Sequence, residues 1–148
     1  MTDHFSADLL WEVTKGWNSY QVKRRSGGGV NFSRDPLNLL NKQTRKHTGF
    51  INDQAIGITP SEKGVTLTTK KGGDKANKPA SHRHTSGLKG SGRKSYSTVV
   101  SSTAKRGYRA DLRQAAVART SAIQNSQREK KDRPAAKPRG VKAKKAEE

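Results

Sequence analysis

The chain has 148 residues, of which 29% are hydrophobic, and a mean hydropathy of −1.02, which excludes a large core. It carries 31 Lys plus Arg against 12 Asp plus Glu, a net charge of +19; self-repulsion of that size costs a free compact monomer and turns into a gain against a polyanion, where each neutralised phosphate releases counterions. There is no cysteine, which removes disulfides, thiolate zinc sites and thiol chemistry and fits a reducing compartment.

In chain order, Leu9, Leu10, Val13 and Trp17 fall on one helical face. Ser6 suits the N-cap, Asp8 the first turn and Gly16 the stop. Trp17 reads as core. Trp11 falls off that face, and packing is preferred for it over base stacking. Tyr20 and Val22 alternate with polar neighbours, as do Val30 and Phe32, with Ser26 to Gly29 able to turn: a β-hairpin. "DPLNLLNKQTRKHTGF", residues 35–50, opens apolar at Leu37, Leu39 and Leu40 and then turns basic at Lys42, Arg45, Lys46 and His47. Ile56 and Ile58, the turn "TPSEKG", then Val65 and Leu67 predict a second hairpin.

Residues 71–94, "KGGDKANKPASHRHTSGLKGSGRK", hold almost nothing apolar and are expected to be disordered alone in water. Tyr96, Val99, Val100 and Thr103 then predict a helix broken at Gly107. Leu112, Ala116 and Ile123 predict another, flanked by Arg109, Arg113 and Arg119. Tyr96 and Tyr108 flank the break between them. A charged tail with Pro134 and Pro138 follows. The expected fold is therefore α+β: one N-terminal helix packed on a small antiparallel sheet of two hairpins, then a basic loop, two helices and an extended tail. The divisions are 1–70, a small α+β domain; 71–94, a basic Gly/Ser-rich extension; 95–127, two RNA-facing helices; and 128–148, a basic tail.

The motifs that could carry chemistry are weak. "GLKGSGRKS" has Gly87 and Gly92 at phosphate-loop spacing, but Arg93 intrudes before Lys94 and Ser95, and no apolar strand precedes it. A flexible cationic loop is the better reading. His82 and His84 lack the further ligands that structural zinc takes, so no metal is expected; they suit a nucleotide better. His4, His47 and the serines make no triad without an oriented base and a pocket. No catalysis, cofactor or small-molecule substrate is expected. The start "MTDHFSADLL" lacks a signal peptide's basic opening and apolar middle, and no run of ~18 apolar residues reads as a membrane span.

The placing of charge is more informative than its total. From residue 64 to 128 there are 14 Lys plus Arg and two acids, Asp74 and Asp111. Helices that mix signs satisfy their own cations through i,i+4 pairs; on this count these arginines need anions from outside the chain. The candidate RNA-binding residues are Lys23, Arg24, Arg25, Lys42, Arg45, Lys46, His47, Lys70, Lys71, Arg83, Arg93, Lys94, Lys105, Arg106, Arg109, Arg113 and Arg119. Arg45, Arg109 and Arg113 are expected to outweigh the lysines, because guanidinium grips phosphate bidentately. No helix-turn-helix, zipper, zinc-finger or RNA-recognition pattern is present, so the reading favours folded RNA recognised by shape and phosphate.

"LLWEVTKGWNSYQVKRR", "DPLNLLNKQTRKHTGF" and "YRADLRQAAVARTSAI", in that order, resemble the eukaryotic large-subunit ribosomal proteins of family twenty-eight, the eukaryote-only type rather than the bacterial protein sharing the number. The resemblance runs from about Asp8 to Gln127. It implies a small α+β domain on the solvent side of the large subunit, gripping ribosomal RNA without catalysis, beside neighbouring ribosomal proteins and with no membrane partner. It implies cytoplasmic ribosomes as the location, and the nucleolus during assembly. A nucleolar biogenesis factor sharing this domain is longer and bears cysteine. A chromatin role is the other alternative, since "AAKPRGVKAKK" resembles a linker-histone tail, but two hairpins after one helix do not fit a winged-helix core. The tail's basic run could also serve nuclear import.

Overall fold

The computed structural model describes residues 5–26, 28–62, 64–72, 78 and 81–129. The expected tail from residue 130 onward, and the import signal read from it, lie outside these. Helix α1 (Ala7–Thr14) begins as expected: the Ser6 hydroxyl accepts from the Leu9 N–H. It ends before Gly16, with Lys15 at its C-cap. Strands β1 (Gln21–Lys23) and β2 (Asn31–Ser33) form an antiparallel hairpin. Lys42 makes an isolated bridge to Phe32, so the 41–43 stretch lies along the far side of β2.

A second sheet has the order β3 (Ile56–Ser61), β4 (Gly64–Lys70) and β5 (Arg83–Leu88), antiparallel throughout. The expected "TPSEKG" turn is tighter than its sequence implies, because Ser61 already pairs with Gly64. Gly64, at φ 115°, takes a backbone conformation that suits glycine. Strand β5 corrects the expectation of disorder for the whole of 71–94. Its polar residues find their partners in β4, with Lys70 opposite Arg83 and Val65 opposite Leu88. Leu88 alone supplies it with a core anchor, which is why composition hid it.

Helix α2 (Gly92–Ser102), two 3-10 turns (Ala104–Arg106 and Ala110–Leu112) and helix α3 (Arg113–Gln127) complete the α+β fold. Gly107, at φ 72°, makes the expected break. One core joins the parts: Leu39, Ile56, Ile58, Val65, Leu67, Leu88, Val99, Leu112 and Ala116. Ala116 is small enough for α3 to lie close over β3 and β4. Near the start of α2 its contact with α3 is polar: the Gln124 amide donates to the Ser95 hydroxyl at 3.0 Å, and that hydroxyl donates to the Gly90 carbonyl. Buried Ser95 and Gln124 thus stand beside the apolar Val99 and Ala116.

Helix α1 does not share in that core. It buries no residue, and Val13 and Trp17 are 72% and 88% exposed. The expectation of Trp17 as core and of the helix as packed by its apolar face is therefore corrected. The sheet's covering is supplied by α2 and α3, and Trp17 lies beyond the end of α1.

Candidate nucleic-acid interface

Residues 35–50 are held from below by one carboxylate. Asp35 is buried. Its Oδ1 accepts the Leu37 N–H at 2.9 Å, and its Oδ2 accepts the Gly49 and Phe50 N–H groups at 2.8 and 3.1 Å. Both ends of the segment are thus tied to one side chain. Gly49 must be glycine, because a Cβ there would collide with the Leu37 side chain and lie 2.8 Å from the Leu37 carbonyl oxygen. Asn38, also buried, donates to the Lys42 carbonyl and accepts from the Leu40 N–H. Leu37 and Leu39 are buried and anchor the segment, whereas Leu40 is exposed and anchors nothing. Tyr20 and Phe50 bring the first hairpin against this segment, with ring centroids 5.6 Å apart.

Three cations then clamp the segment's carbonyls. Arg119, from α3, donates from Nε to the Ile58 carbonyl at 2.8 Å and from Nη1 to the Leu39 carbonyl at 2.9 Å and the Asn41 side chain at 3.1 Å. Lys70 Nζ, at the end of β4, donates to the Asn52 carbonyl at 2.8 Å and, at longer range, to those of Gly49 and Phe50. Arg109 donates to the Lys46 and Gln54 carbonyls at 2.8 and 2.9 Å and is paired with Asp111 at 2.9 Å. Burial draws the Arg119 guanidinium below its ordinary value. The hydrogen bond from Arg109 does the most to hold Asp111 below the usual carboxylate range.

For Arg109 and Arg119 these contacts correct the reading that the arginines of the helical half need anions from outside the chain. Arg109 has a side chain only 16% exposed and takes a left-handed backbone at φ 47°. That conformation costs a non-glycine residue roughly 1 kcal/mol, and its four side-chain hydrogen bonds offset the cost. Tyr108 beside it is pinned too: its hydroxyl donates to the Lys70 carbonyl at 2.7 Å and accepts from the Ala55 N–H. Tyr108 is thus a structural tyrosine, with its hydroxyl pKa pushed up chiefly by burial. Arg45 is engaged by Asp8 and Asn52. Asp8 is 88% exposed, so that ion pair adds little stability.

The remaining candidates point outward. Lys23, Arg24, Arg25, Lys42, Lys46, Arg83, Arg93, Lys94, Lys105, Arg106 and Arg113 are exposed, and Lys71 is half-buried. None of these side chains meets an acid of the described residues within ion-pair distance. Lys105 and Arg113 border one shallow groove between α2 and α3, floored by Val100, Val117 and Ala118 with Tyr96 at its side. Lys46 lies beside the Arg109–Asp111 pair. The strand β5 and helix α2 flank residues 89–91, but β5 is polar apart from Leu88, so the glycine-rich stretch still has no apolar strand before it. The helix already starts at Gly92, so the part expected to be a flexible loop is partly helical. Among the described residues no group of three or more His, Asp or Glu side chains gathers as metal ligands.

His47 is set within the segment, its Nδ1 2.9 Å from the Thr44 hydroxyl. Burial is the main cause lowering its pKa, followed by Lys46, Arg109 and Lys42, with Asp111 opposing. The folded chain therefore resists protonation that the unfolded chain accepts near pH 6.5. Stability is expected to be level above that pH and to fall as pH drops below it. His82 shifts the same way, chiefly through burial, so His47→Gln should remove only part of the loss. Denaturant midpoints between pH 7.5 and 5.5 measure it; an unchanged profile in His47→Gln would contradict the assignment.

The matched family model is the ribosomal L28e protein family, over residues 9–126. The chain belongs to the ribosomal L28e protein family. Among relatives, the large ribosomal subunit protein eL28 of Schizosaccharomyces pombe is 41% identical over 128 residues, 85% of this chain and 96% of that protein. The Caenorhabditis elegans protein of that name is 34% identical over 62 residues, covering 42% and 48% of the two chains. The Trypanosoma cruzi protein is 33% identical over 76 residues, covering 51% and 49%. The L28e match spans most of α1, both sheets, the clamped segment and nearly all of α3. It therefore includes every cation described above.

Proposed function

We propose that the chain is a structural constituent of the large ribosomal subunit that binds and stabilises folded ribosomal RNA and performs no catalysis. The observation that carries this reading is the sorting of the cations. Arg109, Arg119 and Lys70 are used on the chain's own carbonyls and fix the shape of residues 35–54. Lys42, Lys46, Arg93, Lys94, Lys105, Arg106 and Arg113 are exposed. The first set builds a rigid surface, and the second presents charge on it. Phosphate attraction then supplies affinity, and the fixed shape supplies placement. The eL28 name of the relatives supports the large subunit as the setting. Neighbouring ribosomal proteins are partners on this reading, with cytoplasmic ribosomes as the location and the nucleolus as the site of assembly.

The test is sedimentation of the tagged chain from lysed cells, after a high-salt wash and removal of magnesium to split the subunits. Salt strips a purely electrostatic binder steeply. The tagged chain is expected to stay with the large-subunit peak. Release to the top of the gradient, or recovery with chromatin, would overturn the proposal.

A further inference from the structure

The shallow groove between α2 and α3 has a volume of about 880 Å³, within the range of sites that hold small ligands. Its floor of Val100, Val117 and Ala118 is apolar, and Tyr96 stands at its side. Lys105 and Arg113 border it where the chain passes from one helix to the other, Lys105 in the 3-10 turn after α2 and Arg113 at the start of α3. Arg113 precedes Val117 by about one helical turn, roughly 6 Å of rise, so cation and floor adjoin along α3.

The charge at this border is not used inside the described part of the chain. Neither Lys105 nor Arg113 meets an acid of the described residues within ion-pair distance. Asp111 is the one acid in residues 92–128, and Arg109 takes it. The hydroxyls of Ser97 and Ser121, which also line the groove, have no hydrogen-bond partner among the described residues. A fitting occupant therefore offers an anion to the border, an apolar face to the floor and polar groups at its edge.

A nucleotide carries all three. A docked peptide helix anchors instead through bulky side chains sunk in well-packed pockets. The short side chains of this open floor suit a flat ring laid across them, and every base has such a face. Residues 130–148 hold eight Lys or Arg against three acids, and a second copy would bring the same cationic helices, so each would meet like charge here. We propose that the groove takes the unpaired base of one RNA nucleotide, laid beside Tyr96, with its phosphate on Lys105 and Arg113. The proposal rests on the RNA-binding reading and adds a seat for a base to its phosphate contacts.

The experiment places a photo-reactive phenylalanine analogue at Gln114, an exposed residue of the groove, in the full-length tagged chain. Purified large subunits are irradiated and digested with ribonuclease and protease, and the adduct is identified by its mass. The expected result is a nucleotide on the probe. Ala118→Leu in the same chain fills part of the groove and is expected to cut the nucleotide adduct roughly tenfold. Ala118→Ser leaves the groove open and is expected to keep the yield. Ala118 is exposed and Leu is a good helix former, so the fold is expected to persist in both. An adduct to a protein, to another copy or to the chain's own residues would overturn the proposal. So would no adduct, a yield that Ala118→Leu leaves unchanged, or an equal loss in Ala118→Ser. Sedimentation tests the large-subunit reading separately. A chain found elsewhere contradicts that reading, and the adduct formed in the fraction it occupies still decides what the groove holds.

Discussion

Asp35→Ala is expected to be the most damaging single change outside the hydrophobic core. The substitution removes the acceptor of three backbone N–H groups, those of Leu37, Gly49 and Phe50. Leu37 and Gly49 are buried, so water cannot take the place of the carboxylate without opening the segment. Each buried donor left unpaired costs about 1–3 kcal/mol, which puts the total near 4 kcal/mol, a large fraction of a small domain's stability. Asp35→Asn is nearly isosteric but keeps one acceptor oxygen for donors approaching both, so most of the loss is expected to remain. Urea midpoints of the two variants check this. A loss under about 1 kcal/mol for Asp35→Ala would mean that the segment is held by other contacts.

Arg119→Met is the second. Its three hydrogen bonds join α3 to β3 and to the 35–50 segment across sequence separations of 61, 80 and 78 residues. Bonds to a charged donor contribute roughly 1.5–3 kcal/mol each, and the desolvation already imposed on the guanidinium offsets part of that. A net loss of about 2–4 kcal/mol is expected. Arg119→Lys should recover less than half of it, because one ammonium cannot repeat the planar fork that reaches Ile58 and Leu39 from different nitrogens. Recovery to wild-type stability by Lys would show that charge alone matters there.

Local signals were legible wherever one residue's chemistry decides its structure. Ser6 capped its helix and Gly107 broke the helical half as their side chains require. The alternation within each strand, at Tyr20 and Val22, Val30 and Phe32, Ile56 and Ile58, and Val65 and Leu67, marked both hairpins, and Val22 stands opposite Phe32 and Ile58 opposite Leu67 in the register. The class of fold followed from these. Strand β5 was not legible, because its pairing with β4 is made by backbone groups that composition does not record. The exposure of α1 was not legible either: periodicity states which face is apolar, not whether the rest of the chain comes to cover it. The site was half legible. Its cations were all visible as sequence, but Arg109 at Lys46 and Arg119 at Leu39 depend on contacts 63 and 80 residues away. One signal was available: a lone Asp111 two residues after Arg109, in a half with almost no acids, is an arginine's partner more readily than a surface charge.

The division of the cations into internal clamps and outward phosphate contacts is tested most directly by comparing Arg109→Ala with Arg113→Ala. Both are put through urea denaturation and through binding to purified large-subunit ribosomal RNA across a range of salt. Arg109→Ala is expected to lose roughly 2 kcal/mol of stability and to keep the salt dependence of binding. Arg113→Ala is expected to stay within about 0.5 kcal/mol of the parent and to lower the slope of log affinity against log salt by roughly 1. The reverse pattern, with Arg109 setting the slope and Arg113 the stability, would contradict the account.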